Sequence, residues 1–261
     1  MIITAIIVLG TLGFVFAAML GLAAEYFRVN EDPRLKEILA ALPGTNCGAC
    51  GSAGCANFAE RLLKGEVLIA GCVAGGQTVA DRLAKIMGME AGEQCVNIAT
   101  VHCGATAGQR RIKARYSGTK SCTTANLVDS GGLLCSYGCL GYGDCFTACP
   151  FDAIKMHDGL PVIDSKKCTA CGRCVVACPR AIIALRPCSW PTVVACSSRD
   201  KGSVTRKNCP VGCIACGLCA KINPQAFKVE GNLARVIYNQ APADCREAVA
   251  KCPTKCILNL E

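Results

Sequence analysis

Histidine is nearly missing from this chain of 261 residues, with two in all. That leaves little for zinc, nickel or cobamide sites built on imidazole. Aromatic residues are scarce as well, at 5%. None interleaves the basic stretches, which weighs against stacking on nucleic acid despite a net charge of +9. No G-x-G-x-x-G opens a helix after a strand and no P-loop is present, so dinucleotide cofactors are expected on other chains. Between Ile2 and Ala24 there is no charged side chain. Neither a twin-Arg pair nor a leading Lys or Arg precedes that run, which argues against a cleaved export signal.

The uncharged run is itself informative. Its 23 residues make about 34 Å of helix at 1.5 Å per residue, enough to cross a bilayer. Residues 1–27 are therefore read as a transmembrane anchor. Arg28, Arg34 and Lys36 follow the span, so the rest of the chain is expected in the cytoplasm, attached by one pass to the cell (inner) membrane. Gly13, Ala17 and Gly21 share one stripe of that helix, where another helix could approach closely.

What the chain has in abundance is cysteine, 24 residues, grouped in tight runs that suit a metal centre rather than a disulfide framework. Asp32-Pro33 reads as the start of a short amphipathic helix stopped by Pro43-Gly44. The run TNCGACGSAGC then supplies Cys47, Cys50 and Cys55, with Cys72 beyond it. Three clustered thiolates and one distant one suit a cubane [4Fe-4S] site, whereas zinc sites usually pair two C-x-x-C elements. Gln77–Met87 reads as a helix. Residues 91–131 read as a connector: RRIKAR at 110–115 as a solvated basic face, and Cys103 as a small buried thiol. Cys95 and Cys122, in the same segment, show no ligand spacing.

The strongest signal follows. CSYGCLGYGDCFTACP gives Cys135, Cys139, Cys145 and Cys149, and CTACGRCVVACP gives Cys168, Cys171, Cys174 and Cys178. The second run is the bacterial C-x2-C-x2-C-x3-C-P pattern, and the first reads as the same pattern stretched. In two-cluster ferredoxins the fourth cysteine of each run ligates the other cluster. That rule groups Cys135, Cys139, Cys145 and Cys178 on one cluster, and Cys149, Cys168, Cys171 and Cys174 on the other. A further repeat places Cys213, Cys216, Cys219 and Cys252 on a cluster of their own. Its partner would need ligands at Asn223, Pro242, Cys245 and Ala248, where one thiol remains, so that cluster is expected to be lost. The expectation is four [4Fe-4S] clusters, with no role assigned to Cys188, Cys196, Cys209, Cys245 or Cys256.

The resulting fold class is α+β: the anchor, a small cysteine-rich 4Fe-4S domain over 28–90, the connector, then two ferredoxin-like modules at 132–187 and 188–261. The uncharged span, LPGTNCGACGSAGC, VHCGA, CSYGCLGYGDCFTACPFDAI and KGSVTRKNCPVGCIACGLC together resemble the RnfB family, the B subunits of Rnf electron-transport complexes, in its longer form. The resemblance implies an electron-transfer subunit of a membrane-bound ferredoxin:NAD+ oxidoreductase, a translocase of Na+ or H+. It implies soluble ferredoxin and the other membrane and peripheral Rnf subunits as partners, with no nucleic acid and no complete active site on this chain. The alternative within redox chemistry is a membrane-anchored subunit of a complex that reduces a redox-sensing regulator. Outside it stand a zinc-rich binding protein and a corrinoid-type enzyme subunit, and the shortage of histidine counts against the second.

Overall fold

The computed structural model describes residues 2–26, 32–91, 97–239 and 242–260. Arg28 and Cys95 lie outside those segments. The first element is helix α1 (Ile2–Tyr26). Among the described residues it is the one helix long and apolar enough to cross a membrane, and its apolar window is not buried against the rest of the chain. Its hydroxyl at Thr11 donates back to the Ile7 carbonyl at 2.9 Å, which satisfies that polar group without water.

Three helices form a small unit next: α2 (Pro33–Ala41), α3 (Cys55–Leu63) and α4 (Gly76–Met87). Asp32 caps α2, accepting the Arg34 amide at 2.9 Å, with Pro33 in the first turn where a missing N–H costs nothing. Ile38, Phe58, Leu62 and Leu83, one or more from each helix, close a common core. The loops 42–54 and 64–75 meet at one side of it.

Beyond that unit one architecture occurs twice. In the first copy, β1 (Asn97–Val101) pairs antiparallel with β4 (Ile183–Pro187), and β2 (Ile154–His157) forms a hairpin with β3 (Leu160–Ile163). Short helices α5 (Cys122–Leu127), α6 (Asp144–Thr147) and α7 (Arg173–Ala177) lie between the strands. The second copy repeats this with β5 (Thr192–Val194) on β8 (Ile257–Asn259), a β6 (Phe227–Glu230)–β7 (Leu233–Val236) hairpin, and helices α8 (Gly202–Asn208), α9 (Leu218–Ile222) and α10 (Arg246–Ala250). The architecture is α+β, with antiparallel strand pairs throughout.

Strand β1 sits inside the segment read from sequence as a connector. Its pairing with Ile183–Pro187 makes it the first strand of the first module, so the module opens well before residue 132. Its five residues are buried at the three central positions and show no alternation that would separate them from a loop; the long-range partner stabilises the strand. Arg186, buried on β4, locks the pair by donating to Thr100 Oγ1 at 2.8 Å and to the Trp190 carbonyl. The basic run is also partly internal. Arg110 is half-buried and donates to the carbonyls of Ala105 (3.0 Å) and Gly159 (2.7 Å), while Arg111 reaches the Lys207 carbonyl in the second module.

Candidate iron–sulfur centres

In the helical unit, Cys47, Cys50, Cys55 and Cys72 line one cavity, floored by Phe58. Cys55 opens α3, and its amide donates to Asn46 Oδ1 at 2.8 Å, which fastens the glycine-rich loop to the helix start. Burial pushes the Cys72 thiol up, and the proximity of Cys55, Cys50 and Cys47 adds to that.

In the first module, Cys149, Cys168, Cys171 and Cys174 line a second cavity. Three come from one run and Cys149 from the other. The Ala99 amide of β1 points at Cys168 Sγ, 3.5 Å away, so the unforeseen strand also furnishes a sulfur with a donor. Burial pushes Cys174 up to about 11, with Cys168 and Cys171 contributing.

In the second module, Cys213, Cys216, Cys219 and Cys252 line the matching cavity, and the Ala234 amide reaches Cys213 Sγ at 3.5 Å. Cys256, unassigned from sequence, lies on its wall with its sulfur 3.7 Å from that of Cys252. Hydrogen bonding from Cys256 holds Cys213 and Cys252 below the usual thiol range, and Cys256 itself is pushed up.

The remaining expected set is not brought together. Cys139, Cys145 and Cys178 line one cavity, but the fourth thiol there is Cys122, and Cys135 faces a different cavity. The backbone gives the reason. The runs 168–174 and 213–219 each carry left-handed residues at their third and fifth positions, Ala170 and Gly172 in one, Ala215 and Gly217 in the other. Residues 139–145 do the same at Gly141 and Gly143. Residues 139–145 therefore form the same loop unstretched, with Tyr142 where the other two loops carry their middle cysteine, and Cys135 stands outside it. Cys122 supplies the fourth thiol from the start of α5. Asp144, within the loop, holds it there by accepting from the Cys122 amide (2.8 Å), the Thr123 amide (2.9 Å) and the Ser121 hydroxyl (2.9 Å). Burial works to raise the Asp144 carboxyl, and those donors outweigh it and leave it lowered. Burial likewise pushes Cys139 up to about 11 and Cys145 to about 12.

At the position of the expected lost cluster, Asn223 turns the chain instead. Its Oδ1 accepts from the Ala226 amide at 3.1 Å, and its Nδ2 donates to the Asp244 carbonyl at 3.3 Å. Cys245 and Ala248 are buried in an apolar core with Trp190 and Phe227, and Pro242 is exposed.

Among the described residues, no three His, Cys, Asp or Glu side chains converge closely enough to hold a single metal ion. The thiols instead surround open volume and receive backbone N–H groups. That fits a bulky inorganic core with a thiolate at each corner.

Comparison with known proteins agrees with this chemistry. Residues 42–74 match an Fe-S cluster family, residues 135–179 a 4Fe-4S dicluster domain, and residues 207–259 the 4Fe-4S single cluster domain of Ferredoxin I. The B subunit of the Na+-translocating ferredoxin:NAD+ oxidoreductase complex of Acetobacterium woodii is 44% identical over 96% of this chain and 75% of its own length. The B subunit of the proton-translocating ferredoxin:NAD+ oxidoreductase complex of Clostridium ljungdahlii is 40% identical over 98% of this chain and 92% of that protein. The B subunit of an ion-translocating oxidoreductase complex of Methanosarcina acetivorans is 36% identical over 98% and 97%.

Proposed function

The chain belongs to the RnfB family, the B subunits of ion-translocating oxidoreductase complexes, and from that premise we propose that it receives electrons from reduced ferredoxin and passes them on towards NAD+. It is an iron–sulfur electron-transfer subunit of an oxidoreductase complex. The observation that carries the finer reading is the succession of four cavities, each lined by at least four thiols.

Four ligand sets are proposed: Cys47, Cys50, Cys55 and Cys72; Cys122, Cys139, Cys145 and Cys178; Cys149, Cys168, Cys171 and Cys174; and Cys213, Cys216, Cys219 and Cys252. The second module keeps one centre. [4Fe-4S] clusters, when bound, accept and release one electron at a time without moving atoms. The protein's part is to hold the iron through these thiolates, to aim amides such as those of Ala99 and Ala234 at the sulfurs, and to exclude water. Crossed use of Cys149 and Cys178 keeps the two centres of the first module adjacent. Helix α1 anchors the protein in the membrane, with Arg34 and Lys36 after it favouring a cytoplasmic body. The ion moved is Na+ or H+, as the names of the relatives allow.

Ferredoxins are commonly acidic, and this chain carries +9. Arg199, Lys201, Arg206 and Lys207 are exposed around α8 and form the proposed landing surface. The test is the rate at which reduced ferredoxin bleaches the visible absorption of the anaerobic full chain. The rate should fall steeply as salt is added, because screening shortens the reach of the field. A rate independent of ionic strength would refute electrostatic docking of ferredoxin here.

A further inference from the structure

A fifth cavity lies between the two ferredoxin-like modules, and Cys103, Cys135, Cys196 and Cys209 all line it. Cys103 follows β1 and Cys135 precedes the 139–145 loop, so both belong to the first module. Cys196 follows β5 and Cys209 follows α8, so both belong to the second. The four come from segments far apart in sequence, and only the docking of the two modules assembles them.

Each of the four sulfurs receives a backbone N–H. The Cys139 amide donates to Cys103 Sγ at 3.4 Å and the Ser198 amide to Cys196 Sγ at 3.4 Å. Cys135 accepts from the Tyr137 amide, Cys209 from the Val211 amide, and Cys196 also from the Cys213 amide. This is the environment of the sulfurs in the four cavities described above. The open space at the fifth cavity is about 480 Å³, of the same order as the about 370, 330, 320 and 300 Å³ at the others. Small residues, Gly104, Ala105, Gly138, Ala195 and Gly212, leave that space open. The guanidinium of Arg110 lies on its wall, and that of Arg180 donates to the Cys135 carbonyl at 3.0 Å. Both supply positive charge where four thiolates would need it.

The ordinary account is four buried thiols acting as small apolar side chains. Such thiols pack against neighbours. These line an open space, accept amides and come two from each side of an interface.

We infer that Cys103, Cys135, Cys196 and Cys209 hold a fifth [4Fe-4S] cluster, seated between the modules and ligated by two thiolates from each. Building it releases the four thiol protons. Its role, though not its existence, rests on the relay reading above. Cys139 lines the neighbouring cavity of the first module and Cys213 that of the second, and each gives its amide to a sulfur of the central set. The centre is then the station through which the two modules exchange electrons. One electron lost by a neighbour is one gained here, with no proton or atom transferred.

The experiment is iron and acid-labile sulfide analysis of the anaerobically purified full chain, with EPR of the reduced protein. About twenty irons are expected in the wild type, at four per cluster. Cys196→Ala and Cys209→Ala should each leave about sixteen, and the double variant also about sixteen, because both remove the same centre. A wild-type count of about sixteen that neither variant lowers would overturn the inference, as would a double variant that loses about eight. The wild-type count stands even if a variant misfolds. Because iron is counted without any electron donor, this test can fail or succeed independently of the ferredoxin reading.

Discussion

Cys122→Ala should remove one cluster, about four irons, and adding Tyr142→Cys should restore it. The loop 139–145 has φ values of 84° and 85° at Gly141 and Gly143; the corresponding pairs are 53° and 76° at Ala170 and Gly172, and 54° and 75° at Ala215 and Gly217. In the latter two loops the residue between the left-handed pair is a cavity-lining cysteine, Cys171 or Cys216. A cysteine at 142 would therefore project into the same kind of slot that Cys122 fills from α5. The change costs the edge contact of the Tyr142 ring with Tyr116, 5.9 Å between centroids. That is about 1 kcal/mol, small beside the stabilisation a bound metal centre contributes. Iron and sulfide counts on the anaerobic full chain, with EPR, read the outcome. A full iron complement in Cys122→Ala would refute the ligand assignment. So would a folded double variant that stays depleted, since it would mean that Tyr142 does not occupy the middle ligand position.

Asp144→Ala removes the acceptor that caps α5 and should cost about 1 kcal/mol of stability, seen as a lower thermal midpoint and faster iron loss to a chelator; an unchanged loss rate would show that Cys122 needs no such anchoring. Cys256→Ala removes a thiol donor beside Cys213 and Cys252. A hydrogen bond of about 1 kcal/mol corresponds to about 40 mV for one electron, so the potential of that centre should fall by about this amount in an EPR-monitored titration, and a rise would contradict the donor role. Asn223→Cys should leave the iron content unchanged, and a gain of about four irons would reveal a site completed by other thiols.

Much of the iron–sulfur chemistry was legible because C-x2-C-x2-C-x3-C-P runs are dense, local patterns. The grouping of Cys135 with Cys139 and Cys145 came from treating the first run as stretched, whereas Cys135 lines another cavity. The signal for that separation is the repeat itself. Cys139, Cys145 and Cys178 lie 74 residues before Cys213, Cys219 and Cys252, and the same offset joins Cys135 to Cys209 and Cys122 to Cys196. It also sets Tyr142 opposite Cys216. Cys103 has no cysteine at that offset, and only the docking of two modules brings it to Cys209. Strand β1 was missed for a similar reason: its partner is more than eighty residues away in Ile183–Pro187, and five residues carry too little periodicity to declare a strand alone.

The repeat also explains why equivalent cysteines line different cavities. In the second module Cys216 fills the middle position of its loop, so Cys196 is released to face the space between the modules. In the first, Tyr142 leaves that position empty of thiol, and Cys122, the counterpart of Cys196, is drawn into its own module by Asp144. Around Asn223, where the repeat would set a further centre, the second module has an apolar core. Trp190 is 1% exposed and packs edge-on to Tyr238 at 5.7 Å, within the buried group that contains Ala226, Phe227, Cys245 and Ala248. Apolar side chains there fill the place that stands open between Cys149, Cys168, Cys171 and Cys174 in the first module. A single new thiol at Asn223 meets a filled core and a turn held by Ala226 and Asp244. Building a centre there would take cysteines at 223, 242 and 248 alongside Cys245, and a smaller residue than Trp190 to make room for it.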